Sequence, residues 1–156
     1  MTRKIDALLA EYGESHQNPT NKAVHWVCVP VIVWCVAALI WSLPVPAFMA
    51  GVSWFNWLTL ILAGAVLYYL AMSWRLAIGF ILFIALCLWL ILWYERTFAL
   101  PLWQFALALF VLAWIGQFWG HKVEGRKPSF FKDVQFLLIG PAWLLHFLYR
   151  RLGIAW

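Results

Sequence analysis

Residues 23–74 decide the fold, and they read AVHWVCVPVIVWCVAALIWSLPVPAFMAGVSWFNWLTLILAGAVLYYLAMSW, without one charged side chain. A helix that crosses a bilayer needs ~20 consecutive apolar residues, so this run is too long for one span and long enough for two. The proline-containing stretch at 42–46 (SLPVP) is a strong turn signal. The run therefore predicts a first membrane span at about 23–43 and a second at about 55–73.

Two more apolar stretches follow this run toward the C-terminus. The one bounded by Arg75 and Glu95 predicts a third span at about 76–94. The next predicts a fourth span at about 98–120, with Pro101 tolerated in its first turn, where a helix needs no backbone N–H. We therefore predict an all-α polytopic bundle of about four membrane helices.

Shorter helices are predicted on either side of the spans. Residues 3–15 place apolar side chains at i, i+3, i+4 and i+7, which is typical of an amphipathic helix on a membrane surface, ending near Gly13. The Asn-Pro pair at 18–19 then predicts a new helix, with an N-cap residue followed by proline at the first helical position. Residues 134–148 are again apolar, but they are short for a span and are interrupted by a Gly-Pro pair. We predict an interfacial or re-entrant helix there.

The composition agrees with a single integral-membrane domain over residues 1–156. Of the 156 residues, 66% are hydrophobic and only 11% are charged, whereas about a quarter are charged in an ordinary soluble domain. Aromatic residues make up 19% of the chain, and such rings favour the headgroup level of a bilayer. The three cysteines lie inside apolar stretches and form no CxxC pair, so we expect small buried hydrophobes.

The distribution of charge predicts the orientation. The formal net charge of +5 would suit nucleic acid only on the basic face of a soluble module, so we predict no nucleic-acid partner. With four spans and a cytoplasmic N-terminus, Arg96 is the one basic residue left outside, in line with the positive-inside rule. A fifth span would strand Arg150 and Arg151 outside, so both termini are predicted to be cytoplasmic.

The first span is expected to be retained, because no short apolar segment with a small-residue cleavage site opens the chain. Without an organelle address, we predict a bacterial inner membrane, or the endoplasmic reticulum if the source is eukaryotic. Membrane lipid is then an expected partner, and assembly of identical chains into a homo-oligomer is left open.

Three of the four histidines fall at one membrane level in this topology. His16 precedes the first span, His25 lies in its first turns, and His121 ends the fourth. A lone histidine is more often a structural group than a ligand, but imidazole is a good ligand for Zn, Fe, Cu or Ni. Three distant histidines at one membrane face therefore predict a metal site with nitrogen ligands.

Two polar groups accompany these histidines. Asn21 and His25 share one helix face, and polar groups at membrane depth usually face the bundle interior. Asn21 could instead cap the helix or hydrogen-bond between helices. His121 and Glu124 follow i, i+3 spacing within residues 117–128. The alternative for that stretch is a charged cytoplasmic turn, which explains its basic residues but not its histidine.

Other reaction classes lack their usual motifs in this sequence. It contains no GxSxG elbow, no phosphate-binding glycine loop and no HExxH pair. It also lacks charged residues in the middle of the predicted spans, which a proton relay or a transporter usually needs. Hydrolase and transporter functions therefore have little support.

Two spaced motifs carry a resemblance to a known family. The first is Tyr12-x3-His16-x4-Asn21-x3-His25 with Pro30 five residues later, and the second is Gln117-Phe118-x-Gly120-His121-x2-Glu124-Gly125-Arg126-x-Pro128. With these motifs and its hydropathy, the chain resembles a family of small membrane proteins long described as a domain of unknown function. The fungal member of that family is a 2-hydroxy fatty acid dioxygenase of the endoplasmic reticulum. Cys28 stands where the family often has glycine, and this small residue should fit the same close packing.

The resemblance implies an iron(II)-dependent reaction with O2 that shortens a 2-hydroxy fatty acid by one carbon and releases CO2, within fatty acid α-oxidation. It implies Fe2+ ligands among His16, His25, His121 and His146. Non-haem iron commonly holds about six ligands, so four histidines would leave only two positions. Three explanations stay open: one histidine does not touch the metal, the substrate binds through one oxygen, or O2 reacts without a site of its own.

Asn21, Glu124 and Arg126 are the further residues predicted to serve catalysis. Glu124 either supplies a carboxylate ligand or orients a ligating imidazole. Arg126 or Lys127 would attract the substrate carboxylate to the headgroup level. Two alternatives to the dioxygenase remain: a non-catalytic membrane protein that binds lipid or a partner, and another histidine-ligated metal enzyme such as a hydroxylase or hydrolase.

Overall fold

A computed structural model describes residues 4–14, 16–52, 54–125 and 138–155. Within these ranges the chain folds into six α-helices and no strand. The helices are α1 (Lys4–Glu14), α2 (Pro19–Trp41), α3 (Trp57–Met72), α4 (Trp74–Thr97), α5 (Leu102–Glu124) and α6 (Ile139–Arg151). The all-α prediction is confirmed for this part of the chain.

Polar caps fix where α2 and α3 begin. Asn18 has backbone angles of φ −66° and ψ 129°, and its side-chain oxygen accepts the backbone N–H of Thr20 at 2.8 Å. Pro19 follows at the first helical position, where a missing N–H costs nothing. Asn56 caps α3 in a reciprocal capping box with Thr59. The start of α2 at Asn18-Pro19 is therefore as the sequence predicts.

Two prolines lie differently from the sequence prediction. α5 begins at Leu102, so Pro101 precedes this helix instead of lying in its first turn. Proline disfavours helical angles in the residue before it, which keeps the approach to α5 non-helical. Gly140 and Pro141 do not interrupt the last helix, because α6 begins at Ile139 and the first four N–H groups of a helix have no acceptor within it.

Three helices, α2, α4 and α5, are long and apolar enough to cross a membrane and indicate a membrane protein. α3 is apolar but has 16 residues, or about 24 Å of helix, against a hydrocarbon core of ~30 Å. α6 has only 13 residues. The fourth span stays a prediction, as does the interfacial or re-entrant placement of residues 134–148, of which 134–137 lie outside the described residues.

α2 and α5 pack closely and run antiparallel. A Cβ added at Gly120 would lie 3.3 Å from the Val24 side chain, and one added at Gly116 would lie 2.9 Å from the Cys28 sulfur. The later residue of α2 thus contacts the earlier residue of α5, as expected for antiparallel helices. Small residues allow two helix backbones to approach this closely inside a membrane.

Two hydrophobic clusters hold the bundle at its opposite ends. One joins the C-terminal ends of α2 and α4 to the N-terminal ends of α3 and α5, and includes Leu58 and Ile91. The other joins the remaining ends of α2, α3 and α4 to α1 and α6, and includes Tyr69 and Phe80. α3 thus contacts both clusters although it is the shortest of the four long helices. We call the second of these the α1–α6 end.

Basic side chains gather at the α1–α6 end of the bundle. Some of them lie at the starts of α2 and α4, and others lie at the ends of α5 and α6. Among the described residues these are Lys22, Arg75, Lys122, Arg150 and Arg151. Arg96 ends α4 and lies at the other end. This asymmetry agrees with the predicted positive-inside topology, whereas the side of the membrane stays a prediction.

Candidate metal centre

His16 lies in the corner between α1 and α2, where neighbouring rings hold it. Its Nδ1 lies 2.6 Å from the backbone carbonyl oxygen of Tyr12, and its ring stacks on the Tyr12 ring with centroids 4.3 Å apart. The Trp143 ring of α6 covers it from another side at 5.4 Å. Since a carbonyl only accepts, Nδ1 carries the proton in this contact, and the lone pair of the neutral ring lies on Nε2.

His25 repeats this arrangement one helix further on. Its Nδ1 lies 2.9 Å from the backbone carbonyl oxygen of Asn21, one turn earlier in α2. The same reasoning places the proton on Nδ1 and the ligating lone pair on Nε2. Metal-binding histidines usually donate their second N–H to a carbonyl or carboxylate in this way, which fixes the tautomer and the orientation of the ring.

His121 near the end of α5 completes a cluster of three. Its ring centroid lies 5.4 Å from that of His16 and 5.0 Å from that of His25, and the His16 and His25 rings are 4.2 Å apart. One nitrogen of each ring lies within 4.8 Å of the other two, which is close enough for one metal ion. We call His16, His25 and His121 the histidine triad.

The triad is buried, and burial keeps His16 uncharged, which suits metal binding. The three residues are 2%, 2% and 5% exposed. Desolvation lowers the pKa of His16 to about 4, so this ring is neutral at physiological pH. Imidazole binds a metal through its neutral form. Three buried imidazoles on separate elements form a donor set that fits a transition metal such as iron or zinc.

Glu124 lies beside the triad but binds the chain instead of joining the cluster. Its Oε1 accepts the backbone N–H of Gln17 at 2.8 Å. Its Oε2 accepts the backbone N–H of Asn18 at 2.9 Å and the side-chain N–H of Asn21 at 3.1 Å. A carboxylate here satisfies donors at the start of α2, where negative charge is favoured. Glu124 thereby ties the α1–α2 corner to the end of α5.

Asn21 connects this carboxylate to the triad. Its side chain donates to Glu124, while its backbone carbonyl accepts from His25. The residue is fully buried. Of the alternatives left open by the sequence, hydrogen bonding between helices is the one that the structure shows for the Asn21 side chain.

His146 is the described site residue that the structure does not bring into the triad. His146 lies on α6, half-buried, with its ring centroid 5.5 Å from that of Phe147, and it is not a member of the metal-capable cluster. Its role as a fourth ligand stays a prediction. Arg126 lies outside the described residues.

Trp143, which closes the site from α6, could not be recognised from the sequence. Its ring lies 5.4 Å from the rings of both Tyr12 and His16. An apolar residue in an apolar helix carries no mark of such a role. Only the packing of α6 on α1 reveals it.

Two apolar cavities lie along α2 on the membrane side of the triad. One of about 510 Å³ lies between α2, α4 and α6 and is lined by Val29, one turn after His25, together with Pro141. The other, of about 640 Å³, lies between α2, α4 and α5. Both are lined by Pro30 and Phe83, so the two cavities adjoin.

Comparison with known protein families agrees with the resemblance carried by the two motifs. Residues 2–152 match the family described as 2-hydroxy-palmitic acid dioxygenase Mpo1-like. No curated protein and no solved structure matches the chain. The match extends from α1 through α6 and so includes every residue of the histidine triad. On this match, the chain belongs to the Mpo1-like family.

Proposed function

We propose that this protein is an iron(II)-dependent dioxygenase that cleaves 2-hydroxy fatty acids to the acid one carbon shorter and CO2, in fatty acid α-oxidation. The observation that carries the proposal is the buried histidine triad, formed at one end of a membrane bundle in a member of the Mpo1-like family. The family description names a dioxygenase of 2-hydroxy-palmitic acid, and the triad offers a metal site for such a reaction.

The proposed reaction balances without an external reductant. A 2-hydroxy acid and one O2 give the shortened acid, one CO2 and one water. The bond between C1 and C2 breaks, C2 becomes the new carboxyl carbon, and C1 leaves as CO2. The four electrons that reduce O2 all come from these two carbons, so the chain needs no reductase partner. Bound iron would supply the reactivity toward O2 that the side chains lack.

The triad would hold the metal, and its geometry suits this substrate. Three histidines would leave about three of six positions free, enough for a 2-hydroxy carboxylate bound through two oxygens and for one more ligand. The carbonyl oxygens of Tyr12 and Asn21 would keep the His16 and His25 rings aimed at the ion. If His146 also bound the metal, one of those positions would be lost.

The surroundings of the triad would sort the two parts of an amphipathic substrate. The apolar cavities beside α2 would accept the acyl chain, because burying each methylene stabilises the complex by ~0.8 kcal/mol. Arg126 and Lys127 follow Gly125, the C-cap of α5, in the sequence and would attract the carboxylate toward the triad. Glu124 would act as a positioning residue through Asn21.

Purified protein tests the proposal directly. Metal analysis of detergent-purified protein should find iron, and incubation with 2-hydroxypalmitate should consume O2 and give the acid one carbon shorter. His25→Ala and His121→Ala should lose the iron. His146→Ala is the matched variant outside the triad and should keep it unless it supplies a fourth ligand. Unchanged iron in both triad variants would refute the metal site.

A zinc enzyme is the second candidate, because three histidines also form the zinc site of carbonic anhydrase. Zinc as the co-purifying metal, with no O2 consumption by iron-loaded protein, would favour a hydrolytic reaction. A protein that holds no metal would instead be a lipid- or partner-binding membrane protein.

A further inference from the structure

Gln117 is a buried side chain to which neither the fold nor the triad assigns a role. It lies on α5 one turn before His121 and is 7% exposed. Its side-chain oxygen is buried and has no hydrogen-bond partner among the residues that the structure describes. Residues four apart share a helix face, with Cβ atoms about 5–6 Å apart. Gln117 therefore lies on the membrane side of the triad.

The packing of α5 on α2 sets the depth of this amide. Gly120 lies against Val24, and Gly116 lies against Cys28. Gln117 falls between these two glycines, just as His25 falls between Val24 and Cys28. The amide is thus at the level of His25, where α2 and α5 face each other beside the triad.

An amide in this position is costly unless something binds it. A buried acceptor without a donor destabilises a fold by about 1–3 kcal/mol, and an apolar side chain of similar shape would avoid that cost. Polar side chains at membrane depth mark sites where a ligand or another helix supplies the partner. The described helices do not supply that partner, and a ligand bound beside the triad would supply it.

We propose that the Gln117 side-chain oxygen accepts a hydrogen bond from the 2-hydroxyl group of the substrate. This inference rests on the proposed function, since it names the group that recognises its substrate class. An ionised 2-hydroxy acid has a single O–H donor, which is the 2-hydroxyl itself, and its carboxylate only accepts. An amide oxygen beside the triad is complementary to that donor.

The consequence is selection against ordinary fatty acids. Palmitate has the same acyl chain and carboxylate but no hydroxyl, so its binding would leave the Gln117 oxygen unpaired. A site built to bond a hydroxyl group rejects analogues that lack it, because its own polar group then stays buried without a partner. Gln117 is therefore a specificity-determining residue in this proposal, and it is not a metal ligand.

Competitive binding to the purified, full-length protein tests this role. We expect 2-hydroxypalmitate to displace a fluorescent fatty acid at roughly 5- to 150-fold lower concentration than palmitate does. In Gln117→Leu this preference should fall several-fold, leaving only what binding of the hydroxyl to the metal contributes, while the metal content stays at the wild-type value. The melting temperature should stay the same or rise, because an unpaired amide has been removed.

Gln104→Leu is the matched control, because it makes the same change on the exposed surface at the opposite end of α5. It should keep the wild-type preference. Gln117→Met, which keeps an unbranched side chain, is the second variant if Gln117→Leu does not fold. A wild-type protein that binds both acids equally, or Gln117 variants that keep the preference, would overturn the inference. Preference without O2 consumption would instead refute the proposed function and leave the hydroxyl recognition standing.

Discussion

Substituting Gly120 by alanine should disturb the triad through Asn21. A Cβ at this position would lie 2.6 Å from the Asn21 side-chain oxygen and 3.3 Å from the Val24 side chain. Real Cβ contacts are longer, so the Asn21 side chain must move. Its hydrogen bond to Glu124 would stretch, and the backbone carbonyl that holds His25 would shift with it.

The size of the effect follows from the tight packing of α2 against α5. Overpacking a filled interface costs typically about 1–3 kcal/mol. For a chain of this length that corresponds to a melting temperature lower by roughly 2–12 °C. Gly64→Ala is the matched control, because a Cβ on Gly64 of α3 meets nothing within 4 Å. It adds the same methyl group to a helix without the clash.

Thermal unfolding in detergent and metal analysis of the two variants provide the assay. Gly120→Ala should unfold at lower temperature than Gly64→Ala and should bind less metal at limiting metal concentration. If the two variants have the same melting temperature and the same metal affinity, the interface between α2 and α5 is looser than these distances imply. The link from Gly120 through Asn21 to His25 would then be wrong.

Three further predictions concern single residues. Glu124→Gln leaves one neutral acceptor oxygen for the three N–H groups that the carboxylate of Glu124 accepts. Amide hydrogen exchange at Gln17 should therefore become faster, while the exchange rates in α6 stay the same. Tyr149→Phe removes the hydrogen bond of 2.7 Å to the Arg75 carbonyl and should lower stability by about 1 kcal/mol, measured by thermal unfolding. Since burial lowers the pKa of His16 to about 4 from its usual 6.5, the unfolded chain takes up this proton first as the pH falls. The melting temperature of metal-free protein should therefore drop between about pH 6.5 and pH 4, and His16→Phe should lose that part of the pH dependence.

The meeting of His16, His25 and His121 could be predicted because it needs only topology. Once the apolar runs are converted into antiparallel helices, the start of α2 and the end of α5 must lie at the same end. The structure confirms that these three rings meet. Their binding of a metal stays a prediction.

The detailed contacts around the triad could not be predicted from the sequence. Glu124 carries the same carboxylate whether it binds a metal, caps α2 or faces solvent, and only the fold shows that it accepts from Gln17 and Asn18. The packing of Trp143 on His16 depends on how α6 folds back on α1. Side-chain type restricts the available chemistry, whereas the partner of each group is set by helix packing.

The tie between Glu124 and Gln17 also constrains how the protein is made. These residues are 107 positions apart, and the triad likewise needs His121 from the end of α5. Because a chain is synthesised from its N-terminus, His16 and His25 are made well before α5 brings His121 to them. A metal bound at the proposed centre would therefore be acquired late in biogenesis, and a chain that stalls before α5 would not form the triad.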